Sequence, residues 1–197
     1  MTPLAANPGI QPVERSEARV QVEKELGIGG QYCLTVGTRW PRKNMALAVQ
    51  AMGRLGSAVA HKLVLTGKPG WGDQELNDRC VVTGFVSERL LSALYSAADL
   101  YLAPSKYEGF GLTILEAFQC GCPVICSAGG AQPEVAGDSA LVLQSESSED
   151  WARAIERLLS DSSKINSLQE MGRKRAARFR WEDTAALTVQ AYKEVAG

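Results

Sequence analysis

The feature that most limits what this chain can fold into is a repeated switch between two hydrophobic periods. Residues 32–36 (Tyr-Cys-Leu-Thr-Val) form an apolar run that stops at Gly37. Residues 44–55 then place Met45, Ala48, Val49, Met52 and Leu55 at helical spacing. The pattern repeats. Runs at 61–66 and 80–83 end at Gly67 and Gly84, and Ser87 stands as the cap of a helix through Leu90, Leu91, Leu94 and Tyr95. Further strands are expected at 100–103, 123–126 and 140–143, with a helix over 110–119 between the first two. Helices are expected over 149–159, 164–179 and 182–195. Strands alternating with helices imply βαβ units. The expected fold is therefore α/β, a single Rossmann-like domain with a parallel sheet covered by helices on both faces. Residues 29–179 hold that domain and 180–197 a closing helix. Residues 1–28, which begin with Pro3, Pro8 and Pro12, read as a linker or an extended tail.

Composition removes several function classes. The chain has 197 residues, enough for one well-cored domain. Lys plus Arg number 21 against 22 Asp plus Glu, so no general field draws it to nucleic acid or an anionic membrane. A single histidine, His61, excludes zinc sites that need two. The five cysteines contain no CxxC pair and read as reduced thiols, which suits a cytoplasmic protein. No apolar run approaches the ~18 residues of a membrane span, and the first residues lack the pattern of a secretory signal.

Ligands of a parallel sheet sit outside the carboxyl ends of its strands, so the loops beginning at Gly37, Gly67, Gly84, Pro104 and Ser127 should share one rim. Three common motifs are absent from it. Gly109-x-Gly111 is not completed to GxGxxG, Gly67-Lys68 runs into Pro69 rather than a Walker loop, and no GxSxG occurs. The informative stretch is 104–116, PSKYEGFGLTILE, which follows a strand and opens a helix. Gly109 and Gly111 let backbone approach a ligand, and the helix start favours a phosphate. Glu108 and Glu116 stand at the two ends, separated by roughly 10 Å at the helical rise of ~1.5 Å per residue. Such carboxylates read hydroxyls, with a diphosphate between them. Glu116 also sits among Ile114, Leu115, Ala117 and Phe118, which argues against a solvated position. On the loop after the first strand, Arg39, Arg42 and Lys43 bring three cations within reach of a diphosphate.

These residues resemble a family. EGFGLTILEA at 108–117 looks like the E-x7-E signature of retaining glycosyltransferases of the GT-B fold, family four (group 1). VGTRWPRKN at 36–44, VTGFVS at 82–87, GCPVICSAGGAQPEVAGDSALV at 121–142 and FRWEDTAALTVQAY at 179–192 are similar to its other motifs, in order. The resemblance implies that Glu108 contacts donor-sugar hydroxyls and Glu116 the ribose. Phe110, Gly111, Leu112 and Thr113, beside Gly109, would offer backbone groups to sugar and phosphate. Lys43 would hold the diphosphate, and the backbone of Val86 would read the base. Many members place an arginine directly after the glycine matching Gly37. Here that residue is Thr38, so Arg39 or Arg42 takes the role. No metal or cofactor is implied; the substrate would be a UDP- or GDP-linked sugar. Complete members have two such domains, and this chain matches only the second, the donor-binding one, with residues 1–28 implied as a linker or the remnant of the interdomain connection. The resemblance therefore implies an acceptor domain supplied in cis or by a separate subunit. It also implies work in polysaccharide synthesis in the cytoplasm, at the inner face of the membrane where that other domain contacts it. A nucleotide-binding module without transfer activity is the competing reading.

Overall fold

The computed structural model describes residues 2–71 and 76–196. Six strands are present: β1 (Tyr32–Val36), β2 (Lys62–Thr66), β3 (Cys80–Gly84), β4 (Leu100–Ala103), β5 (Val124–Ser127) and β6 (Leu141–Leu143). All pair in parallel in the order β3-β2-β1-β4-β5-β6. The eight helices among the described residues are α1 (Arg15–Leu26), α2 (Met45–Arg54), α3 (Glu88–Ala97), α4 (Leu112–Gln119), α5 (Gln132–Ala136), α6 (Ser148–Leu159), α7 (Ser162–Ala176) and α8 (Trp181–Ala196). The expected α/β architecture is thus present.

The strands are apolar without alternation because both faces are covered. Tyr32, Leu34, Val64, Tyr101, Val124 and Cys126 pack under α1, α3, α4 and α5. Their neighbours Cys33, Leu63, Leu65, Leu100, Leu102 and Ile125 point the other way, to α2 and α6. Trp151 of α6 is fully buried in that second layer. Gly172 of α7 lets Phe118 of α4 approach, since a Cβ there would stand 2.7 Å from the ring.

The sequence reading missed two helices. Residues 1–28 are more than a connection. α1 buries Ala18 and Val22 against α3, and Arg15 donates to Asp99 Oδ1 at 2.5 Å, while Asp99 Oδ2 accepts from the Tyr32 backbone N–H at 3.0 Å. Ahead of α1 the chain runs along α3. Asn7, Gln11 and Val13 bond in turn to Glu88, Ser92 and Ser96. The five-residue helix α5 is the other addition. Trp181, which opens α8, is 41% exposed, and its indole donates to the Ala6 carbonyl at 2.9 Å. Leu187, Val189, Tyr192 and Val195 of α8 are exposed as well.

At the carboxyl ends of the strands the glycines are fixed by close approach. Gly37 N–H donates to Thr66 O at 2.9 Å, and Gly67 N–H to Gly84 O at 2.8 Å. Gly67 has φ +136, and a Cβ on it would overlap the Gly37 carbonyl. Gly67→Ala should cost at least about 2 kcal/mol, from backbone strain plus the clash. A urea titration of the purified chain measures it, and an unchanged midpoint would show that the glycine contact does not brace the rim.

Candidate functional site

The strand order reverses between β1 and β4, the place where doubly wound sheets open a crevice at their carboxyl ends. The loops after these two strands carry the candidate residues. After β1, Pro41 opens a 3-10 turn (Pro41–Lys43), and Asn44 ends it at φ 50, a left-handed position that asparagine tolerates. That turn aims Lys43 and Arg42 at the loop after β4. Gly37 leaves room for the lysine stem, since a Cβ there would lie 3.3 Å from Lys43 Cε. The two loops are also stitched by backbone, with Lys106 N–H donating to Arg42 O at 2.8 Å.

Glu108 is the hub. Lys43 Nζ donates to its Oε1 at 2.6 Å, Ser105 Oγ to the same oxygen at 2.6 Å, and Arg42 NH1 to Oε2 at 3.1 Å. Burial pushes the Glu108 carboxyl up, but the hydrogen bonds from Lys43 and Ser105 and the two cationic charges outweigh it. The group sits below the usual carboxylate range. Of the two candidate arginines, the structure brings Arg42 to Glu108. Among the described residues Arg39 makes a backbone hydrogen bond elsewhere, its N–H donating to Lys68 O at 3.2 Å.

Sequence reasoning missed what holds Ser105. This buried serine's carbonyl accepts from Gln132 Nε2 at 2.9 Å and from Ser127 Oγ. The same amide reaches Ser127 Oγ at 2.8 Å and Gly129 O at 3.1 Å. Gln132 is fully buried at the start of α5. The backbone continues the link: Glu108 bridges Gly130, and Ala131 N–H donates to Glu108 O at 2.9 Å.

Beyond Glu108 the chain enters α4. Gly111, at φ 105, forms its N-cap, and no side chain caps the helix, so its positive end is open. Gly109 faces open space. Phe110 is fixed from behind by an edge-on contact with Phe179, centroids 5.9 Å apart. Glu116 lies in α4, 9% exposed, where Tyr95 OH donates to it at 3.1 Å. Burial pushes its carboxyl above the usual range, the Tyr95 bond and the Lys43 charge offsetting only part. The two carboxylates therefore have opposite environments. Val86 lines a separate cleft of about 290 Å³ with Gly37, Thr38, Gly67, Lys68 and Phe85, over the ends of β1, β2 and β3. The expected residues thus share one rim, with Val86 at one side, Lys43, Arg42 and Glu108 at the switch point, and Gly109–Thr113 leading down to Glu116.

The basic run at the end of α7 is elsewhere and is used structurally. Arg175 donates to the carbonyls of Glu134 and Val135 at the end of α5, and Lys174 pairs with Glu170.

Residues 21–175 match the family "Glycosyl transferases group 1". The chain belongs to that family. It is 34% identical to O-antigen chain mannosyltransferase B of Escherichia coli over 98% of its own length and 53% of that protein. It therefore spans about half of this relative. Among solved structures, sucrose-phosphate synthase from Thermosynechococcus elongatus superposes with a TM-score of 0.81 and 28% identity, over 98% of this chain and 52% of that one. Anabaena Alr3699/HepE, solved in complex with UDP and glucose, gives 0.80 at 19% identity, over 98% and 55%. The second likeness speaks to the fold, which is that of GT-B glycosyltransferases. Among the described residues no helix is long and apolar enough to cross a membrane.

Two outcomes follow from the site. Gln132→Leu leaves the buried Ser105 and Gly129 carbonyls short of a donor and should cost about 1–3 kcal/mol; denaturant unfolding checks it. Because the Glu108 carboxyl is depressed in the folded state, its contribution is present above the unfolded carboxylate pKa and is lost as pH falls through the lower folded value. Lys43→Met should therefore flatten the acid limb of a stability-against-pH profile below about pH 4.5, and an acid limb identical to that of the parent would exclude the ion pair as its cause.

Proposed function

We propose that this chain is the donor-binding half of a retaining glycosyltransferase that moves a hexose from a nucleoside diphosphate to a glycan or lipid-linked acceptor. The observation that carries this reading is the Lys43–Glu108 pair beside the uncapped start of α4. Mannose, from a UDP- or GDP-linked donor, is the favoured hexose, because the O-antigen chain mannosyltransferase aligns with nearly the whole chain. The neighbour solved with UDP and glucose, which shares the fold, supports a nucleotide-sugar as the substrate. The cleft at Val86 takes the base and Glu116 the ribose hydroxyls. The α4 amides and Lys43 take the diphosphate, and Glu108 the sugar hydroxyls.

Each group does something the reaction needs. Negative charge grows on the diphosphate as the glycosidic bond breaks. Lys43, the guanidinium of Arg42 and the free N–H groups of Gly111–Thr113 oppose that charge without rearranging. Ser105 and Lys43 hold the Glu108 carboxylate ionised and aimed. Retention requires the acceptor hydroxyl to attack from the face of the departing diphosphate, so the acceptor must be held against that face. Most of its holding groups belong to a second domain, in cis or as another subunit, against which the apolar residues of α8 would pack. We place the work on the cytoplasmic side of the membrane, through that domain.

A thermal-shift series with GDP, UDP, GDP-mannose and UDP-glucose tests the donor reading. Saturating ligand at ~100 times Kd stabilises by roughly 2.7 kcal/mol, an upward shift of about 5–10 °C for a domain of this size. No shift with any of them would end the reading. Glu116→Gln should weaken nucleotide binding about tenfold while stabilising the free protein at neutral pH, because a carboxylate whose pKa is raised by burial opposes folding once ionised. Glu108→Gln should weaken nucleotide-sugar binding more than free nucleotide binding; equal losses would remove it from the sugar end. The chain alone should show no transfer to a saccharide acceptor, and robust turnover would contradict the need for a second domain.

A further inference from the structure

Beside the charged cluster lies an exposed aromatic pair that the donor reading leaves without a role. Trp40 and Trp71 stack with ring centroids 6.1 Å apart and 25° between planes, yet they are 39% and 73% exposed. Exposing two indoles forgoes much of the burial that tryptophan ordinarily supplies. The pair is built rather than incidental. A Cβ on Gly70 would overlap the Arg39 carbonyl and stand 3.0 Å from Trp40 Cδ1, so this glycine lets the loop after β2 lie flat on the loop after β1. Arg39 N–H donates to Lys68 O at 3.2 Å and joins the same two loops. The platform is continuous with the switch point. Arg42 Cζ lies 5.4 Å from the centroid of the Trp40 ring, and its NH1 reaches Glu108 Oε2 at 3.1 Å.

We infer that Trp40 and Trp71 form a stacking platform for one pyranose ring of the acceptor saccharide, with those Arg42 N–H donors that Glu108 and the diphosphate leave free beside it to bond the ring hydroxyls. A pyranose has a flat face of C–H groups and a rim of hydroxyls. An exposed indole pair bordered by a guanidinium offers both complements. The nucleobase belongs elsewhere, in the cleft at Val86, and the platform instead adjoins Glu108, the sugar end of the donor. A ring stacked there stands next to the reacting carbon. The inference rests on the donor reading for that orientation, and the donor domain then supplies one wall of the acceptor site.

The indole N–H signals of a 15N-labelled chain test this, titrated separately with α-linked mannotriose, maltotriose and GDP. Trp151 and Trp181 serve as internal controls, since their indoles are bonded to Ser145 O and Ala6 O. The expected result is a saturable millimolar shift of Trp40 and Trp71 with a trisaccharide, the controls unmoved, and a GDP response at the Val86 amide instead. Trp71→Ala should weaken the saccharide response about fivefold, and Trp71→Phe should recover most of it. Several results would overturn the platform: no trisaccharide response, a response of both indoles to GDP alone, or shifts that follow protein concentration without ligand, which would mark self-association. If GDP fails to move Val86, the donor reading falls separately, whatever the saccharides do.

Discussion

The ion pair between Lys43 and Glu108 is the contact on which the rest of the site depends, and the sheet order makes it possible. In a sheet ordered β3-β2-β1-β4-β5-β6, the loops after β1 and β4 leave in opposite directions from neighbouring strands. Residues 65 positions apart then meet at 2.6 Å. The lysine comes from a turn set by Pro41 and Asn44, and the glutamate from a loop braced by Ser105. Neither loop could hold its charge in place alone, because each side chain is long and its partner is on the other loop. The crevice is thus defined by topology and closed by electrostatics.

That closure is expensive to build in the interior, and the polar network behind Ser105 shows how it is managed. Gln132 uses its amide nitrogen three times, on Ser105 O, Ser127 Oγ and Gly129 O, while its own carbonyl oxygen has no partner among the described residues. A fully buried amide left half-satisfied is a net cost unless it fixes something else. Here it fixes the backbone of the loop after β4, and with it the oxygen that Ser105 and Lys43 share.

The strands and most helices were legible because a parallel sheet buried on both faces writes continuous apolar runs, and helical spacing separates them. Two elements were not. α1 has charged residues throughout and buries only Ala18 and Val22, so its periodicity is faint, and the prolines before it suggested a tail. α5 is too short to show a period. The candidate site was legible wherever it followed a motif, at 36–44, 82–87 and 108–116. Choosing between Arg39 and Arg42 needed the direction of the turn, which spacing does not carry. The role of Gln132 needed its three acceptors, which come from separate stretches of the loops after β4 and β5. The stacking of Trp40 on Trp71 joins loops from two strands, and neither residue announces the other.

On the proposed reading, one residue type serves opposite ends of one ligand because the two carboxylates lie in opposite environments. Glu108 is surrounded by donors and already ionised at low cost. Glu116 is buried with one tyrosine hydroxyl, and its charge is opposed by desolvation. A ligand hydroxyl adds less to the first, which already accepts from three side-chain donors and has about one lone-pair site left, on Oε2. It adds much to the second, which lacks donors. Lys43 links them, because its charge acts on both carboxylates. If a diphosphate draws the Lys43 ammonium toward itself, Glu108 is freed to accept from a sugar while Glu116 gains donors from the ribose. Binding of the phosphate would then be the event that readies the two hydroxyl-reading ends, and an isolated nucleoside or free sugar would find neither end prepared.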